Sequence, residues 1–268
     1  WATGGAGIAI LTYLSLQVGL WSQFGTFAQL LVEGLTGLSV PVYLWIAILL
    51  AVVAGLTMRG VDASLKVLGV LILGETFAVA ALVISLIAHK GFSVFTFEGF
   101  TGSAVFGPGL GISLLFAFAC FTSFEATVVF AEEAKDPRRT IPRAAYFVIA
   151  FVGVFYAIST WTISGAIGID NIQTVATENP ASMIFDLADA SAGYWLSVTM
   201  QVLVVTSFLA MLLGLSNMFS RYLFSLGRAG ALPVQLSAVS KSGAPHVAGF
   251  INGAVVLVII SAFLLSGA

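Results

Sequence analysis

Charge is scarce in this chain. Only 8% of its 268 residues are Asp, Glu, Lys or Arg, against roughly 25% in an ordinary soluble domain. With 59% hydrophobic residues, it cannot cover itself with polar surface in water. That excludes a soluble globular protein and predicts an integral membrane one. Cysteine is nearly absent too: Cys120 stands alone, which excludes an intrachain disulfide and a cysteine-rich metal site. The two histidines, His89 and His246, fall at predicted loop edges without a second ligand at metal spacing, so no metal is expected. No Walker-type phosphate loop is present, so ATP-driven pumping by this chain is not expected. Nor is a cofactor or a nucleic-acid partner. No basic n-region, short apolar core and cleavage site precede the first apolar run, so no signal peptide is read. A start at Trp1 and an end in an apolar run predict a fragment.

Long apolar runs are what the chain does have. A membrane helix needs about 20 such residues to cross ~30 Å of hydrocarbon. Seven stretches qualify: about 8–30, 41–58, 66–88, 111–131, 142–166, 194–219 and 247–266. Helices satisfy their own backbone in lipid, and the ~10-residue alternation of barrel strands is missing. The seven prolines fall in connections or near the start of a span, where a missing N–H costs least. Thr140 is the expected N-cap of the fifth span, with Pro142 in its first turn.

Basic residues set the orientation. Arg59 and Lys66, then Lys135, Arg138, Arg139 and Arg143, then Arg221, Arg228 and Lys241 all lie on one side, against Lys90 alone on the other. The first side is read as cytoplasmic. Segment 167–193 is then external. Asn179 is expected to cap a short helix starting at Pro180, with Met183, Ile184 and Leu187 on one face. It reads either as a surface helix or as a lid that shifts with the spans.

Glu75 and Glu125 stand inside predicted spans. A charge at the bilayer centre costs about 2.5–3.5 kcal/mol on insertion scales. Each carboxyl is therefore protonated, paired or turned toward a polar cavity. Glu75 reads as a neutral helix–helix hydrogen bond or as part of proton coupling. "FAFACFTSFEA", 116–126, sets Cys120, Thr122 and Ser123 among aromatics at mid-membrane depth. Its hydroxyls bond back to the preceding turn of a continuous helix, or they replace backbone partners where a helix opens.

"FTSFEATVVFAEEAKDPRRTIPRAA", 121–145, resembles the sixth span and following cytoplasmic loop of the amino acid–polyamine–organocation transporters. "SRYLFSLGRAGALP", 220–233, is similar to the end of that family's eighth span, and "RGVDASLK", 59–66, more weakly to the approach to its fifth. On these anchors the whole chain corresponds to spans three through nine of a twelve-span permease. The resemblance implies an all-α transmembrane chain, one membrane transport domain over 1–268 and part of a five-plus-five inverted-repeat (LeuT-type) fold with a broken sixth family span. It implies a multi-pass protein of the cell membrane and a secondary transporter for amino acids or related amines. Such a carrier works by alternating access and is coupled to a proton or a counter-substrate. Ser123 stands where the family usually has glycine, which implies a tighter opening or a different substrate.

Carried over residue by residue, the resemblance makes Phe118 and Phe121 aromatic gate or lining residues. Thr122, Ser123 and Phe124 form the break, with carbonyls facing a substrate ammonium, and Glu125 lies just past it. Thr206 and Ser207 match the hydroxyl residues that approach the first family span. Gln17 is the polar residue of the first span here best placed to touch a substrate, or it makes an inter-helix hydrogen bond. Glu132 and Glu133 pair with Lys135, Arg138 or Arg139 in an inner latch, or the run is a solvated loop that fixes topology. A seven-helix receptor or another non-transport membrane protein is the competing class. A retinal protein is excluded, because 247–266 has no lysine for a Schiff base. Enzymatic catalysis is not expected, since the two intramembrane acids lack histidine or cysteine partners.

Overall fold

A computed structural model describes residues 2–59, 65–107, 109–121, 136–240 and 243–266. Among these the regular structure is helical. The α-helices are α1 (Ala2–Thr36), α2 (Val42–Met58), α3 (Leu65–Lys90), a single turn α4 (Gly102–Val105), α5 (Leu110–Ala119), α6 (Pro137–Ile167), α7 (Ile169–Glu178), α8 (Met183–Ala192), α9 (Tyr194–Arg228) and α10 (His246–Ser266). The chain divides into two compact units, one of Trp1–Ala78 with Ile184–Ala268 and one of Val79–Met183.

Seven crossings were expected. Four described helices are long and apolar enough to cross a membrane: Lys66–Val94, Arg138–Ile167, Tyr194–Arg228 and His246–Phe263. The other three differ for separate reasons. Helix α1 has 35 residues but is diluted by Thr12, Ser15, Gln17, Ser22 and Gln23. Helix α2 has 17 residues, which rise about 25 Å at ~1.5 Å each. Of the expected span 111–131, only the portion to Phe121 lies within the described residues.

The first unit is built on α1, α2, α9 and α10. Each apolar stripe meets another: Trp21 and Phe24 pack with Ile46, Leu50 and Val53 of α2, Leu212 of α9 and Val256 of α10. Phe208 stacks between Phe24 and Phe27, at 6.4 and 5.6 Å between ring centroids. Lipid supplies no hydrophobic drive between helices, so close approach over small residues has to serve. At Gly25 an added Cβ would come within 2.6 Å of Ile46. A second cluster, Phe219, Leu223, Leu236 and Ala248, ties the end of α9 to the 3₁₀ turn Val234–Ser237 and to α10.

The second unit is organised around Trp161 of α6. Its ring meets Phe95, Phe97 and Phe100 edge-on, at 5.2, 5.1 and 5.3 Å, and its Nε1 donates to the Thr96 carbonyl at 2.7 Å. Gly165 permits the crossing of α6 over the 3₁₀ turn Gly91–Val94, where a Cβ would collide with the Val94 carbonyl. Lys90 Nζ donates to the Ala166 carbonyl in the last turn of α6.

Two local expectations are corrected. Helix α6 starts at Pro137, not after Thr140: Pro137 takes the first helical position, Asp136 stands at the N-cap, and the Thr140 N–H donates to the Asp136 carbonyl at 2.9 Å. A proline at the first position gives up only an N–H that had no helical partner. Segment 167–193 holds two helices rather than one. The second starts at Met183, whose N–H donates to the Asn179 carbonyl at 3.0 Å. Its most buried residues are Phe185 and Ala188, with Met183, Ile184 and Leu187 half-buried.

Candidate functional site

Buried polar side chains are the strongest functional signal in an apolar bundle, because each must find a partner. In the first unit they gather where α1, α9 and α10 meet. Gln17 has no exposed surface. Its Nε2 donates to Asn252 Oδ1 at 3.2 Å, and its Oε1 accepts from Asn252 Nδ2 at 3.1 Å. The Ser216 hydroxyl donates to the same Oε1 at 3.4 Å, and Ser220 Oγ donates to the Ser216 carbonyl at 2.7 Å. Of the two readings of Gln17, the inter-helix hydrogen bond is the one present in this arrangement.

A cavity of about 10 Å³ lies against this cluster, lined also by Trp21, Thr57, Gly249 and Gly253. A second cavity of about 270 Å³ is lined by Thr57, Asn217, Arg221, Phe224 and the Gly243–Pro245 turn. Thr57 borders both.

Helix α5 closes at Ala119. Cys120 N–H still donates four residues back, to Phe116 at 3.0 Å, but Phe121 N–H donates three back, to Phe118 at 3.0 Å. Phe118 is 73% exposed, and Phe121 is half-buried on the side of Gly153. Thr122, Ser123, Phe124, Glu125, Glu132, Glu133 and Lys135 lie outside the described residues. Arg138 and Arg139 are exposed in the first turn of α6 rather than in a loop. Arg139 Nε stands 3.9 Å from Asp136 Oδ2. Thr206 Oγ1 is satisfied within α9 by the Val202 and Leu203 carbonyls, at 2.9 and 3.0 Å, and Ser207 beside it is half-buried. Glu75 is half-buried in α3, and its buried Oε1 has no partner among the described residues.

Asn252, Ser216, Thr57 and Trp21 were not singled out from sequence. The usable signal was Asn252, a lone amide in the apolar run "FINGAVVLVII".

Apolar helices of membrane-crossing length, with amide and hydroxyl groups held inside their contacts, define a multi-pass membrane protein of the helical class. The chain belongs to the amino acid permease family, whose profile matches residues 5–268. It is similar to the lysine-specific permease LysP of Lactococcus lactis subsp. cremoris, 29% identical over 60% of this chain and 32% of that protein. It is also similar to a lysine-specific permease of Saccharomyces cerevisiae, 30% identical over 50% of this chain and 22% of that protein. The branched-chain amino acid permease BcaP of Bacillus subtilis is 26% identical over 55% of this chain and 31% of its own length. The matched stretch thus spans a third or less of each relative. Permeases of this family are transporters rather than enzymes, and the chain is an integral, multi-pass membrane protein.

Proposed function

We propose that the chain is the central part of a secondary carrier that moves amino acids or related amines across the cell membrane by alternating access. The family match along residues 5–268 carries this reading. Two relatives are named for lysine and one for branched-chain amino acids, so α-amino acids are the substrate class.

In this reading the backbone opens just after Phe121. The ending of regular helix at Ala119, within an apolar run, supports it. Freed carbonyls at Thr122, Ser123 and Phe124 would face the substrate ammonium, with Phe118 and Phe121 as aromatic walls. The carboxyl of Glu125 would lie beside that cavity rather than in lipid. Glu75, Thr206 and Ser207 are the coupling candidates, driven by a proton gradient or by exchange. Gln17 reaches a solute only by giving up its bonds to Asn252 and Ser216, so its part is to hold helices. The spans would fall within the partial five-plus-five repeat that the motifs imply.

Reconstitution of the full-length protein into vesicles tests the reading. Radiolabelled lysine, leucine and polyamines are offered with and without an imposed pH gradient, and with unlabelled substrate inside. Accumulation or exchange of an α-amino acid is expected. Failure of every compound in all three conditions defeats the proposal.

A further inference from the structure

The small cavity beside Gln17 has two unsatisfied neighbours. Trp21 is 1% and Thr57 3% exposed, and neither Trp21 Nε1 nor Thr57 Oγ1 has a hydrogen-bond partner among the described residues. Buried polar groups left unpaired are rare and costly. Both residues line the same cavity, together with the amide of Asn252.

The helix faces explain how the cavity is built. Gln17 and Trp21 are one turn apart on α1, Val53 and Thr57 one turn apart on α2, and Gly249, Asn252, Gly253 and Val256 form one stripe of α10. The two glycines set its size. A Cβ at Gly253 would meet Ala54 Cβ at 3.3 Å, and one at Gly249 would meet Thr57 Cγ2 at 3.4 Å.

The chemistry of the lining selects the occupant. An indole N–H only donates, so whatever sits against it must accept a hydrogen bond. A bare metal cation cannot. The volume, about 10 Å³, suits a single water and nothing larger. Thr57 Oγ1 can donate or accept, and Asn252 Oδ1, which accepts once from Gln17, keeps a second lone pair. That makes three partners, within the two to four that a buried water uses.

We propose that this cavity is a built site for one ordered water, which accepts from Trp21 Nε1, bonds Thr57 Oγ1 and donates to Asn252 Oδ1. The water links α1, α2 and α10, and with Ser216 bonded to Gln17 it extends the polar cluster to α9 as well. Thr57 also borders the 270 Å³ cavity, which makes its side chain the partition between the bound water and the larger space.

X-ray radiolytic labelling of the full-length protein in lipid nanodiscs tests the site. Hydroxyl radicals formed from a bound water oxidise the side chains touching it, however buried. Trp21 is expected to be oxidised about tenfold faster than Phe24, which is equally buried at 1% exposed but does not line the cavity, because a tightly held water is a local source. Thr57→Val keeps the shape and removes one partner, and should lower Trp21 oxidation about fivefold to tenfold. Thr57→Ser keeps the hydroxyl and should retain it. Background oxidation of Trp21 in the unaltered protein overturns the proposal, as does oxidation in Thr57→Val equal to the parent. If Thr57→Val does not fold, high-resolution density of the parent decides: a peak within hydrogen-bond distance of Trp21 Nε1 supports the site, and a clean cavity defeats it.

Discussion

Gln17 and Asn252, 235 positions apart, face each other through both halves of their amides, at 3.2 and 3.1 Å. Each satisfies the other in a bundle where neither could be left bare. The pair is therefore a joint between α1 and α10, and its energetics can be measured as a unit.

Replacing either amide alone with leucine should destabilise the full-length protein by about 1–3 kcal/mol, since the partner is left buried and unpaired. The double replacement should recover part of that loss. Membrane double-mutant cycles average about 0.6 kcal/mol and reach ~1.7, and a doubly bonded pair belongs at the upper end. Thermal unfolding in detergent, followed for all four proteins, reads the coupling. Strict additivity of the two single losses would show that the amides act independently.

Trp161 is the keystone of the second unit. Trp161→Phe loses the bond to the Thr96 carbonyl and should cost about 1 kcal/mol. Trp161→Ala also abandons three edge-on ring contacts and should cost about 3–5 kcal/mol. The segment 91–101 should then become a site of limited proteolysis in vesicles. Equal resistance of Trp161→Ala and the parent would contradict this packing role.

Two glycines should respond in opposite directions to alanine. At Gly165 the new methyl would meet the Val94 carbonyl, which is backbone and cannot rotate away. Overpacking of this kind costs about 1–3 kcal/mol or more. At Gly214, inside α9, nothing lies within 4 Å, and helix propensity alone should favour alanine by up to ~1 kcal/mol. Folded yield and melting temperature of Gly165→Ala and Gly214→Ala compare the two directly. Similar values for both would refute the close approach at Gly165.

If Glu132 and Glu133 pair with Lys135, Arg138 or Arg139 in the inner latch that the resemblance implies, Glu133→Gln slows transport by the full-length protein and shifts its inward against outward accessibility. Arg139 already has Asp136 as an exposed neighbour at 3.9 Å, and such surface pairs contribute about 0–1 kcal/mol. Arg139→Gln should therefore leave stability within ~0.5 kcal/mol of the parent. Unchanged rates and accessibility in Glu133→Gln would leave the charged run with a topological role only.

The long spans were readable because hydrocarbon imposes a length and a composition together. The helices around 66–88, 142–166 and 194–219 all appear, each extended at one end or both. Their extensions carry the charges that end the apolar runs, as Arg221 and Arg228 do in the last turns of α9. Helix α7 went unread because "IDNIQTVATE" is amphipathic and short, with no proline or cap to announce it. Gln17 was noticed as polar, but its partners were not, since nothing local in a sequence pairs position 17 with 216 or 252. A rule that every amide inside an apolar run needs a partner would have pointed to Asn252, though not to which helix it meets.

Lys90 has a consequence for how charged solutes meet the second unit. Its ammonium is bonded to the carbonyl end of α6, where it offsets the negative pole of that helix. Bonding to a carbonyl leaves the ammonium charged, but the acids Glu98, Asp170 and Glu178 on the segments around that end of α6 outnumber it, so the local net charge is negative. A positively charged amino acid approaching that face would be drawn in, and the attraction would fade as salt is added.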